Sequence, residues 1–477
     1  MNNIKIIKYL GICSVSLMFT ACSIPKLIQK SENNTVPEAY KSFQDTTNTA
    51  KVDWKTFFTD PYLNALIDSA LSKNQELNIV LQEINISQNE IKARKGEYLP
   101  FVNFGAGAAV DKVGRYTRNG ALEANNEIEP GKEFPEPFSD FVLGANASWE
   151  IDIWRKLRNA KKVATYKYLS SIEGKNFMVT NLVAEIAEAY YELIAQDNQL
   201  LIVKQNIDIQ SKALNIVRMQ KQAAKVTELA VRKFEAEVLK NRSLQFYIQQ
   251  NIVELENHIN FLVGRFPQKV ERSSSSFNDL MPSRVFEGIP SQLLQNRPDI
   301  RQAELELEAE KLDIKVAKAQ FYPSLGISAG IGLQAFNPAY LVKTPESMLY
   351  NLAGDLAGPL INRKAIKANY LNANAKQIQA VFNYERTILN AYIEVANQLS
   401  KIDNLEKSYL LKEQQVDALT KSISISSGLF KSARADYMEV LLTQRDALEA
   451  KIELIETKKQ QMKAMVKMYQ SLGGGWN

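Results

Sequence analysis

A chain of 477 residues is long enough for two or three ordinary domains, and 45% apolar with 23% charged residues is the composition of a folded protein. A formal charge of +5 is too small at this length to point to nucleic acid or to a strongly basic membrane patch. One histidine, His258, and two cysteines leave little material for a His/Cys metal site or a Cys–His nucleophile, and no catalytic residue, cofactor or metal is expected.

The first 21 residues read as a leader. Lys5 and Lys8 give the positive end, and an apolar run from Tyr9 to Phe19 is too short to span a bilayer, which takes about 20 residues. Thr20-Ala21-Cys22 resembles the end of a bacterial lipoprotein signal, which implies lipidation at Cys22; Ser23 after it implies outer-membrane sorting. Residues 22–52 are polar, a tether. Trp54, Phe57 and Phe58 open a helical stretch, and a second helix is expected from Asn74 to Tyr98, ended by Pro100.

Two alternating segments follow. Val102, Phe104, Ala106, Ala108 and Val110 alternate with asparagine and glycine. After a polar loop of about thirty residues, Phe141, Leu143, Ala145, Ala147 and Trp149 alternate with glycine, asparagine and serine. Each strand has the length that a tilted strand needs to cross a bilayer. A proline-free helix is expected from Leu157 to Gln222, and at 1.5 Å per residue it would be roughly 95 Å long, too long for a compact domain of ordinary size. After a break at Ala224-Lys225 another helix runs from Thr227 to Val263.

A serine-rich link with Pro282, Gly288 and Pro290 leads to a second round. Arg297-Pro298-Asp299 starts a helix to Phe321, and Pro323 ends it. The strand Leu325–Leu333 sets leucine, isoleucine and alanine against Gly326, Ser328, Gly330 and Gly332. The partner strand holds Met348, Tyr350, Leu352, Gly354 and Leu356. A helix from Lys364 to Ser426, a break near Gly428 and a last helix from Ser432 to Gln470 complete the chain.

The order of elements is thus given twice, as an internal repeat. Tyr98-Leu99-Pro100 answers Phe321-Tyr322-Pro323, and Ala189-Tyr190-Tyr191-Glu192-Leu193 answers Ala391-Tyr392-Ile393-Glu394-Val395. In each half the two shorter helices sum to the length of the long one, so they are expected to stack end to end beside it. The division is 1–21 leader, 22–52 tether, 53–267 first repeat, 268–290 linker, 291–472 second repeat and 473–477 tail. The expected fold is an α+β membrane protein: long antiparallel, coiled-coil-like helices with four bilayer-crossing strands. Four strands cannot close a barrel, so strands in a bilayer would have to be shared among chains.

Several stretches resemble the TolC-like outer-membrane efflux factors, in the lipoprotein branch that serves resistance pumps. These are Ile289 to Glu304 with its Arg-Pro-Asp, Ser148 to Arg158 with Trp-Glu-Ile-Asp-Ile-Trp, Phe321 to Ser324, and Leu262 to Arg265. The resemblance covers residues 52–470. It implies a homotrimer with a twelve-stranded barrel in outer-membrane lipid and a periplasmic helical tunnel. A periplasmic adaptor and an inner-membrane pump of the RND type would be the partners, with drug-like small molecules as cargo. Metal-ion efflux, type I protein secretion, or a structural coiled-coil lipoprotein without a pore are the alternatives.

The family commonly has a glycine in each helical turn at the inner tip. This chain has Ala224 and Ala433 there, with Gly428 five residues early. Asp436 is expected to line a constriction, held by Arg434, and Ala224, Lys225, Val226, Thr227, Gly428 and Ala433 to form the adaptor-docking tips. Tyr190, Tyr191 and Tyr392 read as packing residues and His258 as structural or exposed. Trp149 and Trp154 suit a membrane interface.

Overall fold

The computed structural model describes residues 24–40, 47–273, 277, 286–359, 363–432 and 434–476. Cys22, the leader, Ser274–Ser276, Pro282 and Ala433 lie outside them. The principal helices are α1 (Pro61–Lys73), α2 (Gln75–Tyr98), α3 (Lys156–Gln222), α4 (Glu228–Leu262), α5 (Pro298–Ala319), α6 (Lys364–Lys431) and α7 (Tyr437–Ser471). The principal strands are β1 (Phe101–Asp111), β2 (Phe138–Ile151), β3 (Ser324–Ala335) and β4 (Met348–Ala357). The loop expected between β1 and β2 carries structure of its own, a helix at Arg118–Glu123 and a small hairpin of Glu127–Glu129 with Lys132–Glu133. Thr117 caps that helix, and Pro130-Gly131 makes the hairpin turn.

Contacts divide the chain into a strand-bearing unit (Ile86–Tyr168 and Leu305–Val381, with the N-terminal residues to Ser31) and a helical unit (Glu32–Asn85, Leu169–Glu304 and Phe382–Asn477). In the strand-bearing unit the four strands form one antiparallel sheet in the order β1-β2-β3-β4. The two hairpins of the repeat are therefore joined through β2 and β3.

In the helical unit the core gathers Trp54, Phe57, Phe58, Leu63, Ile67, Ile186, Tyr190, Leu193, Ile194 and Tyr469. Full burial of such side chains stabilises by about 1.5–3 kcal/mol each. Tyr190 and Tyr191 are buried, and Tyr190 donates to Asp60, which caps α1. Helices α3 and α4 run antiparallel, since contacts climb one as they descend the other: Gln210 with Asn241 at 2.7 Å and Arg218 with Glu235 at 3.3 Å. Helices α6 and α7 do the same, with Lys412 on Glu453 at 3.0 Å and Leu405 O accepting from Gln461 at 3.3 Å.

The end-to-end joints are explicit. Asn74 accepts from Leu77 N–H at 2.8 Å, starting α2, and its amide donates to Leu262 O at 2.9 Å, ending α4. In the second half Arg297, 5% exposed, stands just before α5 and donates to Ser471 O at 3.0 Å, ending α7. Gly264 (φ 74°) and Gly473 (φ 91°) turn the chain after these helices, and a Cβ on either would strike the backbone at Lys73 or Asn296. Two orphan helix carbonyls thus find partners at equivalent places in the repeat.

Two boundaries differ from expectation. Helix α6 continues through Gly428 to Lys431, and α7 starts at Tyr437 rather than Ser432. Gly428 faces open space, and its carbonyl accepts from Ser432 N–H at 3.1 Å. A helix tolerates one such glycine at a cost of about 1 kcal/mol, so the residue does not break it.

Arg297 also makes a forked pair with Asp299, at 3.0 and 2.7 Å, and reaches Glu394 at 2.6 Å. Arg297→Ala strands the Asp299 carboxylate and the Ser471 carbonyl, while half-exposed Glu394 turns to water, and is expected to cost about 3 kcal/mol. Arg297→Lys, lacking the fork, should recover less than half of that. Thermal unfolding of both variants against wild type checks the order.

Candidate channel wall and helical tips

The register decides what the sheet can do. Leu325 pairs with Ile151 and Leu356, Ile327 with Trp149 and Gly354, Ile331 with Ala145 and Tyr350, and Leu333 with Leu143 and Met348. On the other side of β2, Ala147 pairs with Val102, Ala145 with Phe104 and Phe141 with Ala108. Directly paired residues share a face. All four alternating apolar sets therefore lie on one side of the sheet. Phe104 is 75% exposed, Tyr350 81% and Leu352 78%, so this side is uncovered in the single chain.

The opposite side is mostly small or polar, with Phe101, Phe138, Val142 and Leu349 as its bulky apolar members. One row runs Asn103, Asn146, Gly330, Asn351 and the next Phe101, Ser148, Ser328, Ala353. The Asn146 and Asn351 side chains lie over Gly330, and the Asp355 carboxylate lies over Gly326. A larger residue at either glycine would have to displace these side-chain tips. At the edges, β1 and β4 have no further partner strand among the described residues.

Where the strands meet the helices, each repeat builds the same joint. The Arg158 guanidinium lies 5.6 Å from the centre of the Tyr98 ring, and that of Arg363 lies 4.9 Å from Phe321. Trp149 Nε1 donates to Tyr98 O at 3.1 Å, and Trp154 Nε1 donates to Pro323 O at 2.7 Å while stacking on Tyr322. Asp152 is 5% exposed and accepts from the N–H groups of Leu157 and Arg158 at 3.1 and 2.9 Å, so it caps α3. Arg155 takes a left-handed φ of 59° in the turn before it. Both tryptophans are partly exposed, and packing and an interfacial place are compatible in them.

At the turn from α3 to α4, Ala224 N–H donates to Lys221 O at 3.0 Å and Lys225 N–H to Gln220 O at 2.9 Å. That is the Schellman pattern, with Ala224 in the position that glycine usually fills and a φ of 56°. Lys225 and Thr227 are exposed. Val226 packs on a cluster with Leu214, Val217, Val231 and Phe234. Glu228 pairs with Lys221 at 3.1 Å and Arg232 at 2.9 Å, and these cations hold its carboxyl below the usual range. At the other turn, Arg434 N–H reaches Leu429 O at 2.9 Å, the longer of the two Schellman bonds. Asp436 precedes α7 without a side-chain capping bond. Arg434 and Asp436 are both exposed and form no ion pair with each other.

The described residues hold no group of His, Cys, Asp and Glu able to bind a metal, and no helix among them is long and apolar enough to cross a membrane. A model of the outer membrane efflux protein family matches residues 66–265 and 289–474. The chain belongs to that family. It is similar to the pyoverdine export outer membrane protein OpmQ of Pseudomonas aeruginosa, at 26% identity over 89% of this chain and 87% of the relative. The cation efflux system protein CusC of Escherichia coli K12 is 24% identical over 98% of this chain and 99% of its own length. Among solved structures, the open state of the Neisseria gonorrhoeae MtrE outer membrane channel shares the fold, with a TM-score of 0.83 at 21% identity, covering 96% of this chain and 99% of that one.

This efflux protein is thus an outer-membrane channel component, and its wall and tips are the parts to explain. The alternation of the strands was open to sequence reading; the cap at Asp152, the left-handed Arg155 and the Arg363–Phe321 contact were not. Asp152 had a signal in its place ahead of a helix start, whereas Arg155 had none.

Alanine in the left-handed region costs roughly 1 kcal/mol that glycine avoids. Ala224→Gly is therefore expected to slow hydrogen exchange at the Lys225 amide by about fivefold, and Ala224→Val to speed it. Amide exchange across residues 220–227 measures both.

Proposed function

We propose that three copies of this efflux protein close a twelve-stranded barrel in the outer membrane and continue it as a helical tunnel. The observation that carries this is a four-stranded sheet with one apolar face and two unpaired edges. A lipid-exposed edge leaves N–H and C=O groups without partners, each at a cost of several kcal/mol, and closure among copies removes all of them. Three sheets suit the width of a duct; the apolar face meets lipid and the Asn, Gly and Ser face lines water.

The duct is passive. An inner-membrane pump of the RND type supplies energy and chooses cargo, drug-like small molecules, and a periplasmic adaptor docks at the tips that hold Ala224, Lys225, Val226, Thr227, Gly428 and Ala433. Asp436, present three times around the axis, narrows the closed end. Cys22 carries lipid, so the chain is anchored in the outer membrane and extends into the periplasm. Residues 24–40 fit that placement: Ile24 and Leu27 pack on Ala317, Phe321 and Tyr370, beside the strand-bearing joint.

Ile331 is 59% exposed on the apolar face and Ser328 stands on the polar one. Ile331→Lys places a charge against lipid, at about 2–4 kcal/mol near the midplane for each copy, and should abolish trimers. Ser328→Lys should assemble and change single-channel conductance in planar bilayers. Equal tolerance of the two, or a wild-type protein that remains monomeric and conducts nothing, would overturn the barrel.

A further inference from the structure

Charge on the strands is one-sided in two senses. The four strands, of 11, 14, 12 and 10 residues, contain Asp111, Asp140, Glu150 and Asp355 and no lysine or arginine. Lys and Arg make up 58 of the 477 residues of the chain, so several would be expected there by composition. The register also sets all four acids on the polar face: Asp111 pairs with Phe138, Asp140 with Ala109, and Gly326 lies between Glu150 and Asp355. The apolar face has no charge of either sign.

Their neighbours do not cancel them equally. Lys156, at the start of α3, pairs with Glu150. Asp140 accepts from the Gln334 amide at 2.9 and 2.8 Å, a neutral partner. Asp355 is exposed, and its carboxylate lies over Gly326, where no side chain stands in the way. Three of the four basic residues of the loop beyond β1 are already engaged, Arg118 being the other: Arg115 holds Glu136 at 3.0 Å with Lys112 at 3.7 Å, and Lys132 holds Glu129 at 2.6 Å. Asp111 and Asp140 sit at one end of the strands and Asp355 at the other, roughly 30 Å away at 3.3 Å per residue.

We propose that these acids make the barrel prefer cations, with Asp111, Asp140 and Asp355 as the residues that set the preference. The inference rests on the trimeric duct proposed above, in which the three positions become two acidic belts of fixed negative charge. Between them this face is uncharged, mostly Asn, Ser, Gly and Gln with Phe101, Val142 and Leu349 among them. Charge rings of one sign concentrate counter-ions in a low-dielectric pore and repel co-ions. The effect acts over a Debye length, about 10 Å at 0.1 M salt and about 3 Å at 1 M, so it must fade as salt rises. Cationic small molecules would then enter the barrel from the tunnel more readily than anionic ones of equal size.

The test is reversal potential in planar bilayers under a KCl gradient, using the purified full-length protein. Wild type should pass K⁺ several-fold more readily than Cl⁻ at about 0.1 M and lose most of that preference at about 1 M. The triple change Asp111→Asn, Asp140→Asn and Asp355→Asn should bring the ratio close to parity while conductance at high salt stays as in wild type. Asp355→Asn alone, at an exposed position, should give an intermediate ratio and covers the case in which the triple variant does not assemble. Channels that conduct without cation preference overturn the inference. So does a preference that survives the triple change and disappears with Asp436→Asn, which would put selectivity at the tip. Absence of any conductance in wild type would instead refute the duct itself.

Discussion

Unpaired strand edges are the constraint on which the rest of this molecule depends. β1 and β4 each offer an outer row of peptide groups that no strand among the described residues pairs. Soluble proteins blunt such edges with lysine, proline or a covering segment. Neither edge strand here contains a lysine or a proline. The sheet beside them leaves Val102, Phe104, Ile331, Tyr350 and Leu352 on one face exposed among the described residues. An edge left bare and a face left bare together describe part of a wall, which is how the family membership and the proposed closure by copies come to agree.

The helical half solves a different problem, the ends of helices that abut. A carbonyl at the end of α4 and one at the end of α7 each need a donor in a buried place. Asn74 supplies a neutral amide in the first repeat, worth about 1 kcal/mol, and Arg297 supplies a charge-assisted donor in the second, roughly twice as strong. A buried guanidinium in turn requires carboxylates, which Asp299 and Glu394 provide. The Arg-Pro-Asp stretch is thereby explained as mechanics: Pro298 presets the first helical residue, Asp299 favours the helix start, and Arg297 ties three elements. Gly264 and Gly473 close both joints in the same backbone state.

Much of this was legible in the residues because the signals are periodic. Alternation over about nine residues placed β1, β2 and β3 to within three residues at their ends, and the absence of proline gave α3 and α6 almost whole. Repeat order and helix lengths foretold the end-to-end joints. The misses have local causes. Gly428 read as a break because glycine is permissive, but permission does not compel a turn, and Ser432 N–H closes a helical bond on its carbonyl. Ala224 adopts a glycine's conformation, imposed by the Schellman bonds around it, and alanine carries no mark of that. The loop after β1 hid a helix and hairpin too short for periodicity to show. At the tips, Arg434 and Asp436 are exposed and unpaired with each other, so the constriction proposed for Asp436 depends on the proposed copies around it and is displayed by neither a sequence nor a single chain.

Register is what binds the two faces to their separate tasks. A slip of one residue between β2 and β3 would send Ile327 and Ile331 to the polar side and Gly326 and Ser328 to the apolar side. Small, similar side chains along these strands do little to prevent that, since glycine and alanine pack almost equally well in either phase. The restraint comes from the ends. Trp154 is tied to Pro323 O and stacked on Tyr322 at the helical end, and Asp140 is tied to Gln334 at the other. In the proposed barrel, a wall kept smooth by glycine would gain room inside but lose packing that holds its strands in phase, which leaves more of that task to side chains at its rims.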